Sequence, residues 1–296
     1  MRIWLLHADT PYRMYRERMD FQNPALHIHA DALRAFEKVR IGMAYWTDKR
    51  LTDENGWRAY LAMRADARQK FGAHRRFFFG AVEDARILAK DPLPRLKQLR
   101  RDGVQVITPF WAGENPLGGA HDTDTPLTPL GRFILTNALA MGFLTDVSHA
   151  SRPAFWDMEQ LARAHEAPLI ATHSNFYDIC PHTRNLTREE ARAVSESGGL
   201  IGLNLVPAHI GAPADIDALS RHVDYALAHG LGDALALGSD FDGTDTLACS
   251  LRGAEDLSFL ADTLSRRFGR KTVEQIFYQN AETRLGGWLS SVTENT

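Results

Sequence analysis

The 296-residue chain has only two cysteines, Cys180 and Cys249, too few for a disulfide framework and in keeping with a reducing compartment. It has no apolar run approaching the roughly 18–20 residues that cross a bilayer. Its start, Met1-Arg-Ile-Trp-Leu-Leu-His7, is a short apolar run with no small-residue cleavage site, so it reads as a first strand and not as a signal peptide. The tail carries no lipidation or anchor signal. A cytoplasmic protein is the expectation from these absences. Neither sign of charge dominates. A formal net charge of −3 gives no reason to expect nucleic acid or an anionic membrane as partner. Internal repeats, low-complexity segments and interdomain linkers are missing too. The 44% hydrophobic and 24% charged content are ordinary for a globular chain.

What is there is a series of short apolar runs. They occupy residues 2–6, 40–45, 77–82, 104–108, 144–149, 168–173, 199–204 and 234–240. Helical patterns or longer connections separate them, at about 53–72, 92–101, 215–229, 254–267 and 271–284, with a further helix starting at Thr128-Pro129. Gly103 suits the position just past a helix end. Strand, helix, strand is the unit of a parallel α/β sheet, and eight strands close a (β/α)8 TIM barrel. The expectation is a single, somewhat distorted barrel over 1–296, with an insertion near 12–38 and a long Gly-rich loop near 109–127. Long loops inside compact domains are usually functional or disordered.

Working residues in such folds sit at the carboxyl ends of strands. Strand one ends with His7 and Asp9, strand three with Glu83, strand five with His149, strand six with His173 and strand eight with Asp240. Three histidines and three carboxylates at one edge point to a metal site. Imidazole and carboxylate donors without clustered thiolates suit zinc, with manganese or cobalt as alternatives. Six donors exceed what one catalytic zinc needs, so two metals sharing a carboxylate are expected. His7 and Asp9 lie two apart and face one side of an extended segment. The rival spacing His27-Ile-His29 follows no strand and reads as a solvated insertion. His121 reads as a loop histidine, and Asp242 as a brace for the turn after Asp240.

These residues, together with Trp111-Ala-Gly-Glu-Asn115-Pro-Leu-Gly, Leu127-Thr-Pro-Leu-Gly-Arg132, Asp146-Val-Ser-His149-Ala-Ser, Thr172-His173-Ser, Arg184-Asn185-Leu and Gly238-Ser-Asp240-Phe-Asp-Gly243, make the chain resemble the renal (membrane) dipeptidase family of metallopeptidases, in its soluble bacterial form. The likeness runs from about residue 3 to 285. It implies an amidohydrolase-like barrel with two zinc ions. Carried over by position, His7 and Asp9 hold one metal, His149 and His173 the other, and Glu83 bridges them. Asp240 matches the proton shuttle, and Arg184 the residue that grips the substrate carboxylate. Trp111 takes the place of a substrate-polarising histidine found in the animal enzymes, and so shapes the pocket. Asn204, ending strand seven, is a further candidate substrate contact. One departure is Glu83-Asp84-Ala85, where relatives often read Glu-Gly-Gly.

The expected activity is hydrolysis of small dipeptides by metal-activated hydroxide, with the resemblance implying tolerance of a D-residue on the C-terminal side. Two alternatives stand beside it. One is an amidohydrolase for another small amide, such as an N-acyl amino acid or a lactam. The other is an inactive metal-retaining binding protein. The expected partner is the small substrate alone, and a homodimer is left open.

Overall fold

All eight apolar runs form strands, and every pairing among them is parallel. The computed structural model describes residues 1–289. The strands are β1 (Arg2–Ala8), β2 (Lys38–Trp46), β3 (Phe78–Glu83), β4 (Val104–Thr108), β5 (Leu144–Asp146), β6 (Leu169–Ile170), β7 (Ile201–Asn204) and β8 (Leu235–Phe241). Their order in the sheet is β6-β5-β4-β3-β2-β1-β8-β7. The ring closes between β6 and β7 through a parallel bridge, Ala171 to Ile201. Helices pack outside, so the fold is a TIM-type α/β barrel.

Period-two alternation sorts the strand residues onto two sides. Trp4, Leu6, Ala44, Phe79, Ala81, Val106, Leu144, Ile170 and Ala236 join one buried cluster. Tyr278, Ala281, Leu285 and Leu289 from the C-terminal helical segment complete it. These residues fill the barrel and plug the end opposite the strands' carboxyl edge. Ile3, Leu5, Ile41, Met43, Phe78, Val82 and Ile107 belong to the outer core beneath the helices.

A bulge in β1 breaks the alternation where it matters. Leu5 pairs with Ile41 and Ala8 with Met43, so three steps along β1 match two along β2. Leu5 and Ala8 both lie in the outer core, which leaves Leu6 and His7 together on the inner side. Gly42 makes room for this. A Cβ there would stand 2.3 Å from the Leu6 carbonyl oxygen and 2.8 Å from the Phe79 ring.

Two strands are shorter than their apolar runs suggest. β5 stops at Asp146 and β6 at Ile170, so His149 and His173 sit three residues past the strand ends, on the loops. The cause is local: the Asp146 carboxylate bonds the Ser148 and Thr172 N–H groups, both at 2.9 Å, and pulls this backbone out of the ladder. Helices follow the expected pattern, with Asp53–Phe71 capped by Thr52 and Pro129–Ala140 capped by Thr128. The last helical stretch is broken by a π turn at Gln275–Gln279.

The segment between β1 and β2 corrects one expectation. It carries a helix at Thr10–Glu17 and a single turn at Ala30–Leu33, and it is not solvated around its histidines. His27 and His29 are both buried. The His27 N–H donates to Asp242 Oδ1 at 2.7 Å, and the His27 carbonyl accepts from Ala254 N–H at 2.8 Å. The stretch is welded to the β8 end of the barrel.

Candidate active site

The six donor residues converge at the carboxyl end of the barrel. His7 Nε2 lies 3.2 Å from Asp9 Oδ2 and 3.4 Å from Glu83 Oε2. The other Glu83 oxygen, Oε1, lies 2.9 Å from His149 Nε2 and 3.7 Å from His173 Nε2. Glu83 thus divides its carboxylate between two halves of the cluster. Donor atoms of His7, Glu83 and His173 fall within 4.8 Å of one another, and so do those of His7, Asp9 and Asp240. These two groups meet at His7 and could hold metal ions.

Neighbouring bonds set the imidazole tautomers. His149 Nδ1 can only donate to the Trp111 carbonyl, 2.7 Å away, so Nε2 carries the lone pair. Thr172 gives its hydroxyl proton to Asp146 Oδ2 at 2.5 Å, and its oxygen, 2.8 Å from His173 Nδ1, then accepts from that nitrogen. His173 Nε2 is left as a lone pair as well. Two such lone pairs face each other at 2.9 Å, beside the Glu83 carboxylate. That arrangement is repulsive unless a cation lies between, and it is how metal-ligating histidines are prepared by their outer neighbours.

The electrostatics agree. Burial first, and then the positive charge of Arg184 for His149 and of His7 for His173, hold both imidazoles well below the ordinary histidine value. Burial also lowers His7, but the charges of Asp9 and Glu83 outweigh it and push that imidazole well above its usual value. Burial and neighbouring carboxylates raise both Asp9 and Asp240. So many buried carboxylates in contact call for positive charge at their centre. Asp9 Oδ1 and His7 Nδ1 are buried with no hydrogen-bond partner among the described residues. The donor set fits divalent metal ions.

Asp240 sits on a tight turn, with Ser239 at φ 73°, Asp240 at 65° and Asp242 at 65°. Gly243 lets this turn close over the cluster: a Cβ would meet Asp240 Oδ1 and Asp9 Oδ2, each at 2.4 Å. Asp242 braces the turn, accepting from the Thr10 hydroxyl at 2.6 Å, Arg13 at 3.2 Å and the His27 N–H. Asp84 answers the departure beside Glu83. Its φ of 59° is one that glycine takes freely, and aspartate is among the few other residues that tolerate it. Its carboxylate is held by Arg86 and by Asn115 of the long loop, so the backbone keeps its course without glycine.

Arg184 is buried, and one nitrogen donates to the His173 carbonyl at 3.1 Å while Nε has no partner among the described residues. Trp111 stands on the cavity wall with its ring 5.0 Å from that of Trp46. The cavity, about 420 Å³, is lined by Asp9, Glu83, His149, Asp240, Tyr12, Trp46 and Trp111 among others. Asn204 lies elsewhere. It is fully buried, donating to the His173 carbonyl at 3.2 Å and to His209 Nδ1 at 2.9 Å, so it orients neighbours and does not face the cavity. In the sequence Asp146, Thr172 and Gly243 stand only as members of the motifs that carry the resemblance, with no role of their own. A polar residue one or three positions before each loop histidine was the available signal for the first two.

The membrane dipeptidase model (peptidase family M19) matches residues 47–284. The chain belongs to that family. As an M19 metallo-dipeptidase it is similar to several known proteins. A Klebsiella pneumoniae protein encoded in the pqqA 5′ region is 36% identical over 193 residues, 60% of this chain and 70% of that one. Dipeptidase tcpJ of Claviceps purpurea is 29% identical over 196 residues, 62% of this chain but only 45% of the fungal protein. A Rhodobacter sphaeroides metallopeptidase, solved with a phosphinate mimic of the dipeptide L-Ala-D-Ala, superposes with a TM-score of 0.85 over 99% of both chains at 20% identity, which shows the shared fold. The family match begins just after β2, so His7 and Asp9 lie outside the matched segment. No helix among the described residues is long and apolar enough to cross a membrane.

Proposed function

We propose that this M19 enzyme hydrolyses small dipeptides, L-Xaa-D-Xaa among them, at a pair of zinc ions, with manganese or cobalt able to substitute. One observation carries the reading: Glu83 shares its two carboxylate oxygens between a His7/Asp9 half and a His149/His173 half. His7 and Asp9 would hold one ion, His149 and His173 the other, and Glu83 both. A metal pair so held supplies, when bound, a water acidic enough to ionise near neutral pH and a Lewis acid for the scissile carbonyl.

The chain's own residues do the rest. Arg184, buried close enough to the cluster for its charge to act on His149 and Asp240, would take the substrate's C-terminal carboxylate, which a guanidinium can grip with two bonds. That anchor limits length, because a longer peptide would carry its carboxylate too far from the cluster. Asp240 lies in the cavity beside Asp9, where its Oδ atoms can take the proton of the attacking water and pass it to the departing amine. Trp111 and Trp46 wall the cavity and exclude water from one side. The ligand of the Rhodobacter neighbour, a mimic of L-Ala-D-Ala, supports a D-residue at the C-terminal position.

The test is turnover of L-Xaa-L-Xaa and L-Xaa-D-Xaa dipeptides by protein of measured metal content, beside N-acyl amino acids. Cleavage of dipeptides with two metals per chain is expected. Cleavage of N-acyl amino acids alone would move the substrate class to other small amides.

A further inference from the structure

The residue that follows Glu83 is tied to the loop that aims His149. Asp84 is fully buried, and each of its carboxylate oxygens has a partner. Oδ2 accepts from the Arg86 guanidinium, and Oδ1 accepts from the Asn115 side-chain amide at 2.9 Å. The same amide nitrogen donates to the Pro109 carbonyl at 2.8 Å, and that carbonyl also takes the Ala85 N–H at 3.2 Å. The Asn115 side-chain oxygen accepts the Leu117 N–H at 2.8 Å, which fixes the end of the amide that faces Asp84. Arg86 is anchored in turn by donating to the Lys49 carbonyl at 2.7 Å.

Asn115 belongs to a short antiparallel pair inside the 109–127 loop, Glu114–Asn115 with Gly118–Gly119. The start of that loop carries Trp111, whose carbonyl accepts from His149 Nδ1. Beyond the pair, the His121 N–H donates to the His149 carbonyl at 2.7 Å, and the Gly119 carbonyl accepts the Ser151 N–H at 3.0 Å. His149 has φ 70°, left-handed backbone that a residue other than glycine keeps only where its neighbours over-determine it. Here the loop grips both its ring and its backbone. His173 is aimed separately, by Thr172 and Asp146. Glu83 Oε1 and His149 Nε2 stand 2.9 Å apart, closer than Glu83 comes to His7 or His173. The bonds from Asp84 thus run through Asn115 and the loop to one imidazole of the cluster and not to the other.

We infer that Asp84 is a positioning residue for the metal pair: through Asn115 it holds the loop that aims His149 Nε2, and so sets how tightly the ion proposed for His149 and His173 is bound. This rests on the two-metal reading and not on the choice of substrate. A carboxylate is required at position 84 because both of its partners are donors. Asparagine tolerates the same φ of 59° but brings an NH2 group that must face either the Arg86 guanidinium or the Asn115 amide. With that tie broken, the Trp111 carbonyl is free to move away from His149 Nδ1. The ring then loses the outer bond that fixes its tautomer and direction.

The experiment titrates zinc against a competing chelator in the wild type, Asp84→Asn, Asn115→Ala and the double variant. Visible spectra of the cobalt-loaded proteins and urea unfolding of the metal-free ones accompany it. In Asp84→Asn one of two ions should be held about 10–100-fold more weakly, with the other near its wild-type affinity. The cobalt spectrum should change with it, which a loss of stability alone would not produce. Asp84 and Asn115 act along one route, so Asp84→Asn should add little further loss of metal affinity once Asn115 is alanine. Wild-type affinity for both ions beside a lowered metal-free stability would overturn the inference and leave the two-metal reading intact. Equal weakening of both ions, or losses that add in the double variant, would overturn it as well. If the wild type binds a single ion, the two-metal reading falls. The positioning role then stands if Asp84→Asn weakens that ion and falls if it does not.

Discussion

His27 and Asp242 hold each other by a reciprocal pair of bonds, His27 N–H to Asp242 Oδ1 at 2.7 Å and Asp242 N–H to His27 Nδ1 at 2.8 Å. The pair ties the segment after β1 to the left-handed turn that presents Asp240. Left-handed backbone at three of four residues is unfavourable unless neighbours over-determine it. Asp242 supplies that constraint without touching the donor cluster.

Asp242→Asn should therefore act through Asp240. An amide cannot accept at both positions from the Thr10 hydroxyl, Arg13 and the His27 N–H. The expected loss of stability is about 1–3 kcal/mol. The kcat should fall about tenfold or more with KM nearly unchanged if Asp240 carries the proton and Arg184 the substrate carboxylate, as proposed, because only the former is displaced. Steady-state kinetics beside urea unfolding measures both. An unchanged kcat in a destabilised variant would leave Asp242 with a purely structural part.

Asp240→Asn removes the proposed proton carrier but none of the donors proposed for the metal pair. Metal content should stay near that of the wild type while kcat falls by about 10²–10⁴, the usual scale of general acid–base work. Metal analysis on the same preparation used for kinetics makes the comparison. A variant that loses metal along with activity would make Asp240 a ligand, in keeping with its closeness to His7 and Asp9.

Gly243→Ala tests how closely Asp9 and Asp240 must approach. The added methyl would lie 2.4 Å from an oxygen of each, so the carboxylates must part or the turn must open. Metal affinity should drop by about 10–100-fold, as when an outer support of a metal site is lost. Titration against a competing chelator reads this directly. Wild-type affinity would show that the turn can shift at no cost to the ligands.

Thr172→Val should weaken the metal site by a different route. Valine fills the same space but cannot accept from His173 Nδ1 or donate to Asp146. His173 would then be free to take the wrong tautomer, with its proton on Nε2. A metal affinity reduced by about 10–100-fold is expected, with the fold retained. Thr172→Ser should restore it, because a serine hydroxyl can make both bonds.

The convergence of the six donor residues was legible in the sequence because strands of a parallel barrel end at one edge, and residues at those ends must share it. His7, Glu83 and Asp240 could be placed from strand ends alone. The bulge that turns His7 inward could not, because it depends on Gly42 of the neighbouring strand leaving space for the Leu6 carbonyl. Nor could the short β5 and β6, where the buried Asp146 carboxylate outcompetes the sheet for the Ser148 and Thr172 N–H groups. The His27/His29 segment was misjudged as solvated because no periodic pattern covers it. Its burial comes from long-range bonds to Asp242 and Ala254. Asn204 shows the limit of reading a strand end as a site residue: its position is right for the rim, but its amide is spent inside.

His222 gives a pH prediction that does not involve the metal ligands. It is fully buried, accepting the Phe176 N–H at Nδ1 and donating from Nε2 to the Ile210 carbonyl at 3.1 Å. Burial lowers it to about 4, against the favourable pull of the Ile210 carbonyl. With the folded value below the unfolded one near 6.5, the unfolded chain binds more protons between these values. Stability from this group is then fully present above about pH 6.5 and is lost progressively as pH falls toward 4. Between pH 8 and 5 the loss should be about 2 kcal/mol. His222→Asn keeps an acceptor for the Phe176 N–H and cannot titrate. Its stability at pH 8 should be lower than that of the wild type, but the difference should shrink or reverse at pH 5. Urea unfolding of both proteins across this range, in the same buffers so that metal loss contributes equally, measures the effect. Parallel pH profiles would show that His222 is no more reluctant to charge in the fold than in the unfolded chain.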